Sequence, residues 1–197
     1  MTRKLPRTYF LNPDVVALAR DLLGKVIVLK QHETTFRAVI AETEAYAGVE
    51  DRASHAWNGC FTKRTATMYA QGGTLYVYLC YGIHHLMNIV SNEAGIPHAI
   101  LLRAAWVQDV PGAVMKYLNG PGKLTKHLGI NMEFNGCDLL HSDCIHLEDH
   151  GINISSEEII ITPRIGVDYA GGDADLPYRF IWKPVNPPEL EYFNSQD

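Results

Sequence analysis

Glu42 and Glu44 stand two positions apart in a stretch where Val39, Ala41, Thr43 and Ala45 alternate with Ile40, Glu42, Glu44 and Tyr46. Read as a β-strand, the alternation puts the small and apolar residues on one face. The other face then carries two carboxylates and a phenol, with neighbours roughly 7 Å apart at ~3.3 Å rise per residue. Two roles fit such a face: a solvated strand edge, or a carboxylate site able to take a proton from water. The spacing also approaches the ~6.5–9.5 Å separation used by inverting glycosidases, so an O-glycosidase acting through Glu42 and Glu44 is one chemistry the strand permits.

Other residues of reactive type carry weaker signals. Asp51, Ser54 and His55 are the residue types of an acyl-transfer triad, but members crowded into five positions rarely present triad geometry. Cys137, His141, Cys144, His146 and His150 are metal-ligand types in a spacing that matches no structural zinc pattern. With Cys60 and Cys80 included, the four cysteines form no C-x-x-C pair, so reduced thiols and no metal are expected. Asn119-Gly120-Pro121-Gly122 leads to Lys123 and Lys126. Backbone amides and cations at a helix start suit phosphate, although the string lacks the spacing of a P-loop. Arg103 closes the apolar run Ile100-Leu101-Leu102, and a charge there requires a partner.

These residues need elements to position them. Asn12 reads as an N-cap with Pro13 at the first helical position, and Val15, Leu18, Ala19 and Leu22 recur at helical spacing until Gly24 closes the helix. Lys25 to Lys30 and Thr35 to Tyr46 read as strands of a hairpin that turns at 31–34. The chain then loses periodicity from Gly48 to Lys63-Arg64, and long irregular segments in compact domains tend to be functional. Thr74 to Gly82 and Ile83 to Val90 read as a second hairpin with Tyr81-Gly82 near its tip, and Tyr76 and Tyr78 share a face of it. Further on, the pattern predicts a buried strand at Ile100–Leu102, helices at 111–119 and 123–128, an acidic irregular stretch over 133–157, a core strand at 158–162 and a strand at 178–182.

At 197 residues and 47% hydrophobic, the chain can bury one good core, and a single domain over 1–197 is expected. It shows neither the apolar run of a signal peptide nor a window near the ~20 apolar residues of a membrane span, which predicts an intracellular protein. The net charge of -5 conceals an asymmetry: residues 1–132 hold 14 Lys/Arg against 9 Asp/Glu, and residues 133–197 hold 3 against 13. A basic front with an acidic back suits an anion-binding domain with a solvated far side.

Several strings taken together resemble a known family: Glu42-Thr43-Glu44-Ala45-Tyr46, Ser54-His55, Gly73-Thr74-Leu75-Tyr76-Val77-Tyr78, Tyr81-Gly82, Met87-Asn88-Ile89, Leu101-Leu102-Arg103-Ala104 and Gly120-Pro121-Gly122-Lys123-Leu124. In this order they resemble the alkyladenine (3-methyladenine) DNA glycosylases of the mammalian type, from about Leu22 to Trp182. The resemblance implies a mixed α/β (α+β) fold on a curved antiparallel sheet or open barrel. That fold is similar to the formyltransferase C-terminal domain, with surrounding helices and a protruding hairpin.

It also implies a monofunctional base-excision repair enzyme that acts without cofactor or metal. Such an enzyme flips alkylated or deaminated purines out of double-stranded DNA, hydrolyses the N-glycosidic bond and works as a monomer. It would act in the bacterial cytoplasm at the nucleoid, or in the nucleus of a eukaryote. By the same resemblance Glu44 is the general base, Tyr46, His55, Tyr78 and Asn88 form the base pocket, Tyr81 intercalates, and Arg103 and Lys123 contact DNA. His84-His85 departs from the family, where bulkier aromatics are expected. Two other readings stand beside it: the O-glycosidase, which the basic N-terminal part disfavours, and a formyltransferase-like nucleic-acid-binding module without catalysis.

Overall fold

The computed structural model describes residues 3–31, 33–110 and 112–190. In chain order the strands are β1 (Arg3–Lys4), β2 (Val26–Gln31), β3 (Thr34–Tyr46), β4 (Leu75–Cys80), β5 (His84–Ser91), β6 (His98–Gln108), β7 (Lys116–Asn119), β8 (Ile145–Asp149), β9 (Ile159–Thr162) and β10 (Arg179–Trp182). Three short α-helices accompany them: α1 (Arg7–Phe10), α2 (Val15–Asp21) and α3 (Pro121–His127). No helix among the described residues is long and apolar enough to cross a membrane.

All pairings between these strands are antiparallel, in one large sheet that does not close. Its spine is the pair β3 and β6, matched from Arg37 opposite Gln108 to Tyr46 opposite Ala99. The spine has different neighbours at its two ends. Beside the N-terminal half of β3 lie β2, β8 and β1, and β7 borders the end of β6. Beside the C-terminal half of β3, β10 takes the edge with β9 outside it, while β5 and β4 extend the sheet from the start of β6.

Packing behind β3 follows from the small face seen in the sequence. α2 presses Val15, Leu18 and Ala19 into the core, with Leu22 just past its end, and the Thr43 hydroxyl donates to the Ala19 carbonyl at 2.7 Å. Gly24 ends this segment at φ +78, where a Cβ would lie 2.9 Å from Ile154. Left-handed backbone and lack of space both require glycine there.

Five sequence expectations change. Asp14, not Asn12, caps α2, its carboxylate accepting from the Val16 and Ala17 amides. Asn12 instead accepts from the Asp14 amide. Pro13 therefore lies before the cap. Residues 116–119 form strand β7 rather than a helix, because the free edge of β6 pairs with them; Pro111 lies outside the described residues, as does His32 in the 31–34 turn. α3 begins at Pro121, earlier than expected, with proline in its first turn. The acidic stretch 133–157 contains β8, whose Ile145 and Leu147 are buried between outward His146 and Glu148. β9 is an edge strand, not a core one: among the described residues it pairs with β10 alone, and Ile160 and Ile161 are 38% and 47% exposed.

Candidate active site

The acidic face of β3 lies inside the protein, not on a solvated edge, since β6 and β10 flank it on both sides. The β3–β6 register shifts on either side of Glu42, the kind of irregularity that re-aims a side chain. Glu44 is 0% exposed. Its Oε2 accepts from the Tyr46 hydroxyl at 2.9 Å and from Arg103 Nη1 at 3.2 Å, and its Oε1 accepts from the Ile165 backbone N–H at 2.8 Å. Burial, and next the Glu44 charge, push the Tyr46 phenol well above its usual value, so it stays protonated and donates.

Glu42 has different company. Its Oε1 accepts from Arg103 Nε at 2.9 Å and from Arg179 Nε at 2.7 Å, which aligns the Arg103 fork toward Glu44. Arg103 thus finds the partners its burial demands. The two carboxylates share one guanidinium instead of facing each other across a substrate, as an inverting glycosidase pair would.

In front of Glu44 opens a cavity of about 450 Å³, within the usual range for small-ligand sites. Tyr46, His55, Tyr78, Asn88, Tyr81 and Arg103 all line it. Glu44 sits one layer behind, screened by its own partners Tyr46 and Arg103. The Tyr76 and Tyr78 rings stack at 5.4 Å, and His55 stands edge-on to Tyr78 at 4.7 Å. Part of the wall is therefore π surface, suited to a flat aromatic guest.

Hydrogen bonds fix these walls. Burial, then the Arg64 charge, lowers the His55 pKa to about 4, so the ring is neutral near pH 7. Arg64 Nη2 lies 3.3 Å from His55 Nε2; a guanidinium can only donate, so Nε2 accepts and Nδ1 carries the hydrogen. Nδ1 then donates to the Tyr76 hydroxyl at 3.0 Å. Asn88 is buried, and its Nδ2 donates to the Tyr76 carbonyl at 3.1 Å, which holds the amide rigidly between β4 and β5.

Tyr81 lies at the tip of the β4–β5 hairpin, 92% exposed. It has φ 50 and is followed by Gly82 at φ 70, the sign pattern of a type I′ turn. The exposed His84 reaches the start of α3, where a Cβ on Gly122 would lie 2.8 Å from its ring. Thr125 donates to the His85 carbonyl at 2.6 Å. α3 therefore buttresses the hairpin, and Lys123 is exposed on it without lining the cavity.

The remaining reactive residues separate. Asp51 pairs with Arg164, the Ser54 hydroxyl accepts from the Ala56 amide, and His55 bonds Tyr76, so no triad forms. His146 and His150 both bond Glu148, His141 bonds Asp138, and no group of metal-ligating residues suited to an ion occurs among the described residues. All four cysteines are free.

Sequence reasoning missed Ile165–Val167 and Tyr169, which form one wall of the cavity and contribute the Ile165 amide, and Arg164 just behind that wall. It also passed over Arg64, although that residue ends the aperiodic segment singled out above.

A chamber with stacked aromatic rings in its wall, a screened carboxylate behind it and an exposed aromatic on the hairpin beside it suits enzymes that act on a flat aromatic group. The sequence profile described as methylpurine-DNA glycosylase (MPG) matches residues 9–186, and the chain belongs to that family. It is a DNA glycosylase of the kind that serves DNA repair. A Chlamydia felis protein provisionally named a 3-methyladenine DNA glycosylase is 42% identical over 90% of this chain and 95% of its own length. Similarly named proteins of Chlamydia abortus and Bdellovibrio bacteriovorus are each 40% identical, over 90% and 89% of this chain and 97% and 93% of their own lengths.

Proposed function

We propose that the protein, acting as a monomer on double-stranded DNA, flips an alkylated or deaminated purine into the aromatic cavity. It then hydrolyses the N-glycosidic bond with a water activated by Glu44. The observation that carries this reading is the Glu44 carboxylate itself. It has about four acceptor sites; three are taken by Tyr46, Arg103 and Ile165, and the fourth is left for a proton of water. From one layer behind the wall, the same negative charge favours the oxocarbenium-like sugar through the low-dielectric interior as the base departs.

Tyr46, His55 and Tyr78 hold the base by stacking and hydrogen bonding, and base–aromatic stacking of ~1–3 kcal/mol per base offsets the few kcal/mol lost on unstacking. Tyr81 fills the gap left in the duplex, while Lys123 and the rest of the basic N-terminal part meet phosphates. The substrates are 3-methyladenine, 7-methylguanine, hypoxanthine and ethenoadenine. Asn88, whose amide is tethered to the Tyr76 carbonyl, crowds the 2-amino group and so disfavours guanine; 7-methylguanine bears the same group, but its positive charge makes it a better leaving group and its excision survives the crowding. The sheet is the counterpart of the open barrel of the formyltransferase C-terminal domain.

Incubation with duplexes holding one such lesion should yield intact strands with an abasic site. No lysine lines the cavity among the described residues, so borohydride should trap no covalent complex. Lack of abasic product from every lesion would refute the reading, and a trapped adduct would refute the water mechanism. Asn88→Ser should gain excision of guanine while losing little on hypoxanthine; loss on all substrates with no gain on guanine would remove Asn88 as the gate.

A further inference from the structure

The Asp51–Arg164 pair lies outside the cavity and takes no part in the chemistry described so far, yet it is among the most elaborately bonded groups in the protein. Both side chains are buried. Arg164 meets Asp51 with both Nη atoms, and also donates to the Ala45 carbonyl at 2.9 Å and the Asp173 carbonyl at 3.1 Å. Asp51 accepts in addition from the Ala47 amide at 2.9 Å and the Ala53 amide at 3.0 Å. The guanidinium carbon lies 4.9 Å from the centre of the Tyr46 ring and 5.2 Å from that of Tyr178. One ion pair thus joins the end of β3, the loop that carries His55, and the segment that carries Ile165.

Stability alone does not call for such a pair. Two charges withdrawn from water often do no better than a well-packed apolar pair of similar volume, so the geometry that the pair fixes is the better account of it. The geometry fixed here belongs to the site. Ile165 is 49% exposed, so its own side chain anchors it weakly. Its backbone N–H nevertheless points at Glu44 Oε1 at 2.8 Å, because the preceding residue is clamped. The guanidinium also lies against Tyr46, whose hydroxyl donates to the other oxygen of the same carboxylate.

We propose that Arg164, held by Asp51, is a positioning residue of the reaction: it sets the Ile165 amide and the Tyr46 hydroxyl on Glu44, so that one lone pair of the carboxylate stays directed at water. Arginine is required because its planar fork serves the carboxylate and the carbonyls at fixed angles between two rings, which an ammonium cannot. The inference rests on the reading of Glu44 as the general base.

The test compares single-turnover excision of hypoxanthine with affinity for the same duplex in Arg164→Lys and in Ile165→Pro. The first keeps the charge and loses the fork; the second keeps the ion pair and deletes the N–H. Thermal melts show which variants fold. A misplaced catalytic group costs on the order of 100-fold, so each folded variant should excise about 10- to 100-fold more slowly while binding lesion duplex within about threefold of the parent. A folded Arg164→Lys with the parent's rate overturns the proposal, as does a loss shared equally by rate and affinity, which marks a merely structural role. Should Arg164→Lys fail to fold, Ile165→Pro decides, and the parent's rate in that variant refutes the clasp. Glu44→Gln, run in parallel, separates the two levels: full activity there refutes the general base, whereas loss there with normal Ile165→Pro refutes only the positioning role.

Discussion

The two ends of the β3–β6 spine are built from the same backbone pairing over apolar packing, and differ in that only one of them adds a cluster of buried charges. At the end bordered by β2, β8 and β7, the interior is Val26, Ile27, Leu29, Ala38, Val39, Ile145 and Leu147, all buried and apolar. At the end bordered by β10, β5 and β4, it holds Glu42, Glu44, Asn88 and Arg103, with Asp51 and Arg164 beside them. Removing apolar groups from water stabilises by ~25 cal/mol per Å², whereas buried charges at best recover their desolvation through their partners. One end therefore stabilises the fold and the other spends conformational freedom on geometry. The spine transmits that rigidity to Glu44, which lies on an internal strand with no loop of its own to move on.

Substitutions at the two ends should then separate activity from stability. Glu44→Gln, at the polar end, should slow base release by about 10²–10⁴-fold, the contribution of a general base. Arg103 keeps Glu42 as a partner, so melting temperature and lesion-duplex affinity should change little. Single-turnover excision against direct binding reads this, and a near-parent rate would end the comparison. Leu29→Ala, at the apolar end and fully buried, should destabilise by ~2–5 kcal/mol while the folded fraction excises at the parent's rate. Urea unfolding with excision assayed well below the transition reads both. A rate that falls with stability would mean the ends are not separable.

The hairpin sharpens the contrast, because it belongs to the polar end yet projects away from it. Tyr81→Ala should lower excision from a fully paired duplex by roughly tenfold or more, the equivalent of ~1–3 kcal/mol of lost stacking. Excision from a substrate whose target base is already unpaired should suffer much less, since no gap needs filling. Equal losses on both substrates would make Tyr81 a structural residue of the turn.

The polar end was the more legible in sequence. Glu42, Glu44 and Tyr46 announced themselves by alternation with small residues, and their shared face is what lets Arg103 bridge the two carboxylates. Tyr81-Gly82 announced a tip through turn chemistry. What stayed hidden lies where long-range pairing overrides local pattern. Lys116–Asn119 is a strand because β6 offers an edge, a fact held in no local window. Ile159–Thr162 reads as core by composition and is half exposed because, among the described residues, no strand lies beyond it. β8 was readable, since Ile145 and Leu147 alternate with His146 and Glu148, but the surrounding acidity masked a period of two. Arg164 and Ile165 carry no local signal: their role arises from distances across the chain to Asp51 and Glu44.

The smallest effect expected concerns acid, and it tests whether the polar end is tuned as a unit. His55 has a pKa lowered from 6.5 to about 4, by burial first and by Arg64 second. Between those values the unfolded chain binds a proton that the folded histidine refuses, so the folded state loses stability as pH falls. His55's contribution is complete above about pH 6.5, declines below it, and is gone once pH reaches about 4. Between pH 7 and pH 5 the carboxylates add little. Asp138 is held down to about 2 because its bonds to Arg7 and His141 outweigh desolvation, and unfolded carboxylates themselves take up protons near ~4. His98 is lowered by burial too, so the parent alone cannot isolate His55. His55→Gln can, because glutamine keeps a donor and an acceptor and does not titrate. Urea unfolding at pH 7 and pH 5 should show the parent losing on the order of 1 kcal/mol more than His55→Gln across that interval. Equal losses would mean that His55 accepts a proton in the folded protein, and that the tautomer fixed by Arg64 and Tyr76 is not maintained.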